Sequence, residues 1–191
     1  MGEIVGILLA AGFGRRFGAD KRLLEIDGMP LAVHSARKLQ AACARSIVVL
    51  RPEDDALAAH PGLSGCTVVR CAESSHGMGH SLVAGVAASV DAAGWLIALA
   101  DMPFVAPASY RVVVDALRDG AALAQPGYQG RPGHPVGFAA VWRDGLLALT
   151  GDSGARDLVR SAGAGRVLCP VDDPGIHQDI DLPVDLGVVP A

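Results

Sequence analysis

Residues 8–21 read LLAAGFGRRFGADK, an apolar run that breaks into three glycines, two adjacent arginines and a lysine. A strand ending in a glycine-rich turn leaves backbone N–H groups free to cradle phosphate oxygens. Leu9, Ala10, Ala11, Gly12 and Gly14 supply that backbone, while Arg15, Arg16 and Lys21 place three cations in or just after it. Such turns also serve geometry alone. A dinucleotide loop wants a helix opening directly on it and a carboxylate about 20 residues further on for the ribose. Residues 30–36 read PLAVHSA and offer none. Three cations suit a triphosphate better than a pyrophosphate already held by amides.

Four further stretches carry side chains of the same kind of chemistry. Asp101 follows the apolar WLIALA (95–100), at the carboxyl edge of a strand where open α/β sheets place ligands. A hard divalent ion bridging nucleotide phosphates needs one or two carboxylates, with water and phosphate completing an octahedron. A strand-terminal Asp also forms turns or caps a helix. GMGHSLVAGV (77–86) is a loop feeding a helix, with Ser81 suited to the N-cap. His134 lies in the turn GYQGRPGHP, where a single histidine is ordinarily solvated. GDSGAR (151–156) combines a helix start with Arg156, which reads as a second anion site or as an ordinary capped helix.

The elements that would position these residues follow from the apolar pattern. Runs at 3–9, 46–50, 66–71, 95–100 and 166–171 read as strands, and 29–42, 81–93 and 108–120 as helices. Residues 121–142 look like two strands joined by a Gly/Pro-rich turn, with two short helices after them. Alternating strands and helices predict a three-layer α/β domain with a mostly parallel sheet and an added antiparallel hairpin. No repeat or linker divides residues 1–191, which are expected to form a single domain.

Composition narrows the function classes. The chain is 51% apolar and 19% charged, which excludes a disordered segment. A net charge of −4 argues against a nucleic-acid partner. No apolar run approaches the roughly eighteen residues of a membrane span, and the N-terminus lacks the basic leader of a signal peptide. Cys43, Cys66, Cys71 and Cys169 form no metal-binding spacing and read as reduced thiols in a cytoplasmic protein.

LLAAGFGRRFGADKRLLEIDGMPL (8–31) resembles the LAAGxSxRMGxxK…LLxxxGxPL signature of the MobA-like nucleotidyltransferases. Phe17 stands where that family usually has Met, and Gly14 where it has a small hydroxyl residue. ALADMPFV, GHPVGF, GDSGAR and DIDLPVDL follow in family order, and GMGHSL and GDSGAR are closest to its MocA branch. The resemblance implies a three-layer Rossmann-like fold and transfer of a nucleotidyl group from an NTP to a phosphorylated acceptor, with release of pyrophosphate. It implies Mg²⁺ on Asp101 and on Asp179 or Asp181. Arg16, with Arg15 as the alternate, and Lys21 would offset charge on the leaving pyrophosphate. Gly77, Gly79 and Ser81 would face the base and ribose, and His134, with Arg131, the acceptor. The MocA branch implies CTP and molybdopterin, with a molybdoenzyme receiving the product. Ala11, where the guanylyltransferase branch has glycine, favours a pyrimidine by narrowing the space beside the base. GTP, a sugar or alditol phosphate acceptor, an NAD(P)-dependent oxidoreductase related to the same branch, and a cofactor-holding chaperone remain the alternatives.

Overall fold

A computed structural model describes residues 2–13, 20–152 and 154–180. In chain order the strands are β1 (Ile4–Leu9), β2 (Glu25–Ile26), β3 (Met29–Pro30), β4 (Arg45–Leu50), β5 (Cys66–Arg70) and β6 (Gly94–Leu99), then β7 (Leu123–Tyr128), β8 (Arg131–Pro132), β9 (Val136–Ala139) and β10 (Arg166–Pro170). The helices are α1 (Leu31–Ala42), α2 (Asp55–Ala58), α3 (Met78–Ala87), α4 (Pro107–Arg118), α5 (Arg143–Leu147) and α6 (Arg156–Ser161).

The main sheet runs β10-β7-β9-β6-β1-β4-β5, with β8 on β7, while β2 and β3 pair separately. Its centre is parallel: β1 pairs with β4 on one side and β6 on the other. These strands are continuously apolar because helices cover both faces. Ile7, Leu9, Val49, Trp95 and Ile97 pack with Leu82 and Val86 of α3 and Leu146 of α5. Leu8, Val48, Leu96 and Ala98, pointing the opposite way, pack with Val33 and Leu39 of α1 and Val113 and Leu117 of α4. The result is the expected three-layer α/β architecture.

Two local readings differ from the expectation. Residues 121–142 form the expected antiparallel pair, β7 and β9, but β9 takes a second partner. β9 runs antiparallel to both β6 and β7, wedged between them, so β7 and its parallel partner β10 return to the direction of β6. α3 begins at Met78 rather than 81, so Ser81 is buried inside it instead of capping it. The residue before α3 is Gly77 at φ +124°, in the region that side chains rarely adopt. No helix among the described residues is long and apolar enough to cross a membrane, and the four cysteines are free.

Candidate active site

The sheet order reverses at β1. The chain moves from β1 to β4 and β5, then crosses back to place β6 on the other flank. Ligands in open α/β sheets bind outside the carboxyl ends of strands at such a switch point. Here the segment after β1 (Ala10–Phe13) and the one after β6 (Ala100, Asp101) emerge side by side, joined by the Ala100 amide donating to the Leu9 carbonyl at 3.2 Å.

A cavity of about 280 Å³ opens between them. Leu9, Ala10, Ala11, Gly12, Lys21, Gly77, Ser81 and Asp101 all line it. Lys21 Nζ donates to Asp101 Oδ2 at 2.7 Å, both side chains being largely buried. A second cavity of about 510 Å³ shares Leu9, Met78 and Leu99 with the first. His134, Arg156 and Asp179 line this one, with Arg131, Gln125 and His177. Arg15, Arg16, Gly14 and Asp181 lie outside the described residues. Gly79 lines neither cavity; its amide donates to the Gly151 carbonyl at 2.8 Å.

Two supports hold Asp101 in this place. Lys38 of α1 donates to the carbonyls of Pro103 and Val105, tethering the loop that follows Asp101. Asp173, beyond β10, accepts from the Ala106 amide at 2.8 Å and from Ser109 Oγ at 2.6 Å. It thereby caps α4 from a distant part of the chain, satisfying a helix N-terminus whose own sequence supplies no capping side chain. The turn after Asp173 packs so tightly that a Cβ on Gly175 would lie 2.3 Å from the Phe104 carbonyl oxygen. The chain then returns across the site, with the Ile180 amide donating to the Asp101 carbonyl at 2.9 Å. The acidic tail therefore brings Asp179, the residue before Ile180, back toward the strand-terminal aspartate.

His134 Nδ1 is buried without a hydrogen-bond partner among the described residues. Burial pushes its pKa below the usual imidazole value, against the opposing pull of Asp101 and Asp179. The ring is consequently neutral near pH 7, and the positive charges of the second cavity are Arg131 and Arg156.

Sequence reasoning missed several wall residues. Phe13, Ser74, Ser75, Met78 and Asp152 line the first cavity. Asp152 comes from the loop that packs on Gly77, where a Cβ would lie 2.4 Å from the Gly151 carbonyl oxygen. The glycines of GMG thus let two backbones meet, which no local pattern reveals. Arg22, beside Lys21 in sequence, also lines the first cavity and is only 3% exposed, a burial that its charge gives no sign of.

The MobA-like NTP transferase domain profile matches residues 6–167. The chain belongs to the MobA-like NTP transferase family. The transferase is 31% identical to the purine catabolism protein PucB of Bacillus subtilis (strain 168), over 97% of its own length and 95% of that protein's. It is 30% identical to nicotine blue oxidoreductase of Paenarthrobacter nicotinovorans, covering 93% and 92% of the two chains. A probable molybdenum cofactor guanylyltransferase of Chloroflexus aggregans is 34% identical over 75% of this chain and 67% of its own. The fold superposes on Rv0371c from Mycobacterium tuberculosis H37Rv, solved in complex with manganese, with a TM-score of 0.81 and 28% identity. That match covers 98% of this chain and all of the other.

The donor set suits a divalent ion shared with a substrate. Among the described residues no group of three or more His, Cys, Asp or Glu side chains is arranged to hold a metal alone. Asp101 and Asp179 are two hard carboxylates, both near enough to His134 to act on its proton affinity. A pair of carboxylates leaves the other positions of an octahedral ion to phosphate oxygens and water.

Proposed function

We propose that the protein transfers CMP from CTP to the terminal phosphate of molybdopterin, with Mg²⁺ as the ion held by Asp101 and Asp179 or Asp181. The observation that carries this reading is the meeting of two cavities at Leu9, Met78 and Leu99, with Asp101 on the wall of the first and Asp179, whose neighbour Ile180 bonds the Asp101 carbonyl, on the wall of the second. One is walled by a glycine loop and Lys21, the other by Arg131, Arg156 and His134. The first takes the triphosphate and the second the phosphorylated acceptor. An acceptor phosphate oxygen attacks the α-phosphorus, and the bond from that phosphorus to the β-phosphate oxygen breaks as pyrophosphate leaves. The nucleophile is already anionic, so no general base is needed, and the chain's residues position the reactants and offset charge. Bound Mg²⁺ would polarise the α-phosphate and orient the attacking oxygen.

Lys21, held near Asp101, and the loop amides face the leaving group, with Arg16 as the family-matched arginine. Arg131 and Arg156 supply charge to the acceptor's phosphate, and neutral His134 supplies a hydrogen-bonding edge. The preference for CTP rests on Ala11, a residue that lines the first cavity. Residues 1–191 act as one domain in this reading, working in the cytoplasm and passing the product to a molybdoenzyme. Pyrophosphate release from CTP and from GTP, each with Mg²⁺ and molybdopterin, tests it. Faster release from CTP is expected; a GTP preference, or no turnover with either, overturns the substrate assignment.

The nearly full-length similarity to nicotine blue oxidoreductase favours a second reading, an NAD(P)-dependent oxidoreductase. Asp101→Ala separates the two. Transfer should fall at least about 100-fold when the residue that organises charge at the reacting phosphate is removed, whereas metal-independent oxidation of NADPH with a quinone-like acceptor should persist.

A further inference from the structure

Against the loop after β1 lies a chain of four charged side chains with no part in the transfer step; of the four, Arg22 alone lines the first cavity. Arg22 Nη2 and Nη1 donate to the two oxygens of Asp54 at 2.7 and 2.5 Å. Arg22 Nε and Nη2 donate to the two oxygens of Asp20 at 2.8 and 2.5 Å. Arg51 reaches Asp20 Oδ2 at 3.4 Å, and its own amide donates to Asp54 Oδ2 at 2.9 Å. Burial disfavours the charge on Asp20, but its hydrogen bonds to Arg22 and the charges of Arg22 and Arg51 outweigh this and hold its pKa below the usual carboxylate value.

The two guanidinium groups also take three consecutive backbone carbonyls. Arg22 Nη1 donates to Ala10 O at 2.5 Å, Arg51 Nε to Ala11 O at 3.3 Å, and Arg51 Nη2 to Gly12 O. A trans peptide is planar, so each N–H points opposite to the carbonyl that precedes it. Fixing these carbonyls on the arginines therefore turns the amides of Ala11, Gly12 and Phe13 the other way. All three residues line the first cavity, and none of these amides has an acceptor among the described residues. Arg51 also lies 4.2 Å from the centre of the Phe13 ring, which fixes the last of the three residues from the same side.

We propose that Arg22, Asp54, Asp20 and Arg51 are positioning residues that orient the loop amides toward a polyphosphate. The proposal rests on the reading of this loop as the phosphate site. Arg22 cannot hold the carbonyl unaided, because a guanidinium turned toward an uncharged backbone would be drawn to solvent or ligand. Asp54 and Asp20 fix it in place, and Asp54 in turn fixes Arg51 through its amide.

Asp54 lies outside the cavity wall, which makes it the informative residue to change. Removing a negative charge near an anion site should by itself tighten anion binding; releasing the arginines should weaken it. The two effects have opposite signs. Binding of inorganic tripolyphosphate with Mg²⁺ is measured by calorimetry, well below the melting temperature, for the natural protein and Asp54→Asn. We expect Asp54→Asn to bind about tenfold or more weakly, as for loss of charge-assisted hydrogen bonds. With tripolyphosphate bound, the amides of residues 11–13 should be less protected from hydrogen exchange in Asp54→Asn than in the natural protein. Equal or tighter binding overturns the proposal. Should Asp54→Asn fail to fold, Arg51→Lys carries the test, since it keeps the charge and loses the paired contacts to Ala11 and Gly12. Unchanged affinity in Arg51→Lys overturns the proposal as well. If the natural protein does not bind tripolyphosphate, the phosphate-loop reading fails first and this proposal with it.

Discussion

The two cavities share a wall at Leu9, Met78 and Leu99, yet they are built from different materials. Half of the residues lining the first are small, among them Ala10 to Gly12, Ser74, Ser75 and Gly77, and an ion pair between Lys21 and Asp101 stands at its wall. The second is lined by side chains of diverse size and polarity, among them Phe138, Ile176, Gln125, His134 and Arg156. Backbone amides present the same chemistry whatever residue carries them, so such a surface recognises a group common to many substrates, such as a phosphate chain. Side chains can be exchanged one at a time, so the second surface is where recognition can differ between related proteins. The first is correspondingly vulnerable to changes that move the backbone, and the second to changes of single side chains.

Three substitutions test that contrast, in decreasing order of effect. Gly77→Ala should be the most damaging. Its φ of +124° strains any side chain, and the Gly151 carbonyl stands where the Cβ would go. A cost of roughly 1–3 kcal/mol is expected, visible as a lower melting temperature, with weaker nucleotide binding because Gly77 lines that cavity. Intact nucleotide affinity in a destabilised Gly77→Ala protein would break the argument that the first site depends on backbone placement. Arg156→Ala should act on one side only. Loss of a charge-assisted contact should raise the acceptor KM about tenfold and leave the NTP KM unchanged; a parallel rise in both would erase the distinction between the cavities.

The smallest effect concerns acid. Asp20 has its pKa lowered from 3.8, so it contributes stability that is complete above that value and is lost as pH falls through the lower folded value. Asp20→Asn should therefore flatten the decline of melting temperature with pH below about 4, where the natural carboxylate takes up its proton. An identical acid slope in both proteins would show that Asp20 is not held ionised by Arg22.

Much of the fold was legible because the central strands are apolar without interruption, as burial on both faces requires. EIVGILL and WLIALA matched β1 and β6, and Ala10 and Asp101, the residues that follow the two runs, line the same cavity at the sheet edge. The start of α3 was less legible. Met78 and Gly79 read as loop because glycine is a poor helix former, and the reason for Gly79 lies in a backbone more than seventy positions away, at Thr150 and Gly151. Arg22 and Asp54 were hidden for a related reason: charged residues default to the surface, and only the fold brings their opposite charges together. β9 was legible as the second strand of the hairpin around GYQGRPGHP, but its insertion between β7 and β6 was not, because a turn sequence says nothing of which strand lies on the far side.

The cap that Asp173 places on α4 ties the order of events during synthesis to the reaction. Asp101 and its loop leave the ribosome well before Asp173 exists, and until then the Ala106 amide and the Ser109 hydroxyl lack this acceptor. The same delay holds for Ile180, whose amide closes onto Asp101 itself. A nascent chain can therefore assemble β1, β4 and β6 and the loop after β1 while Asp101 still lacks these supports. Residues made later thus hold in place an aspartate on a loop made earlier.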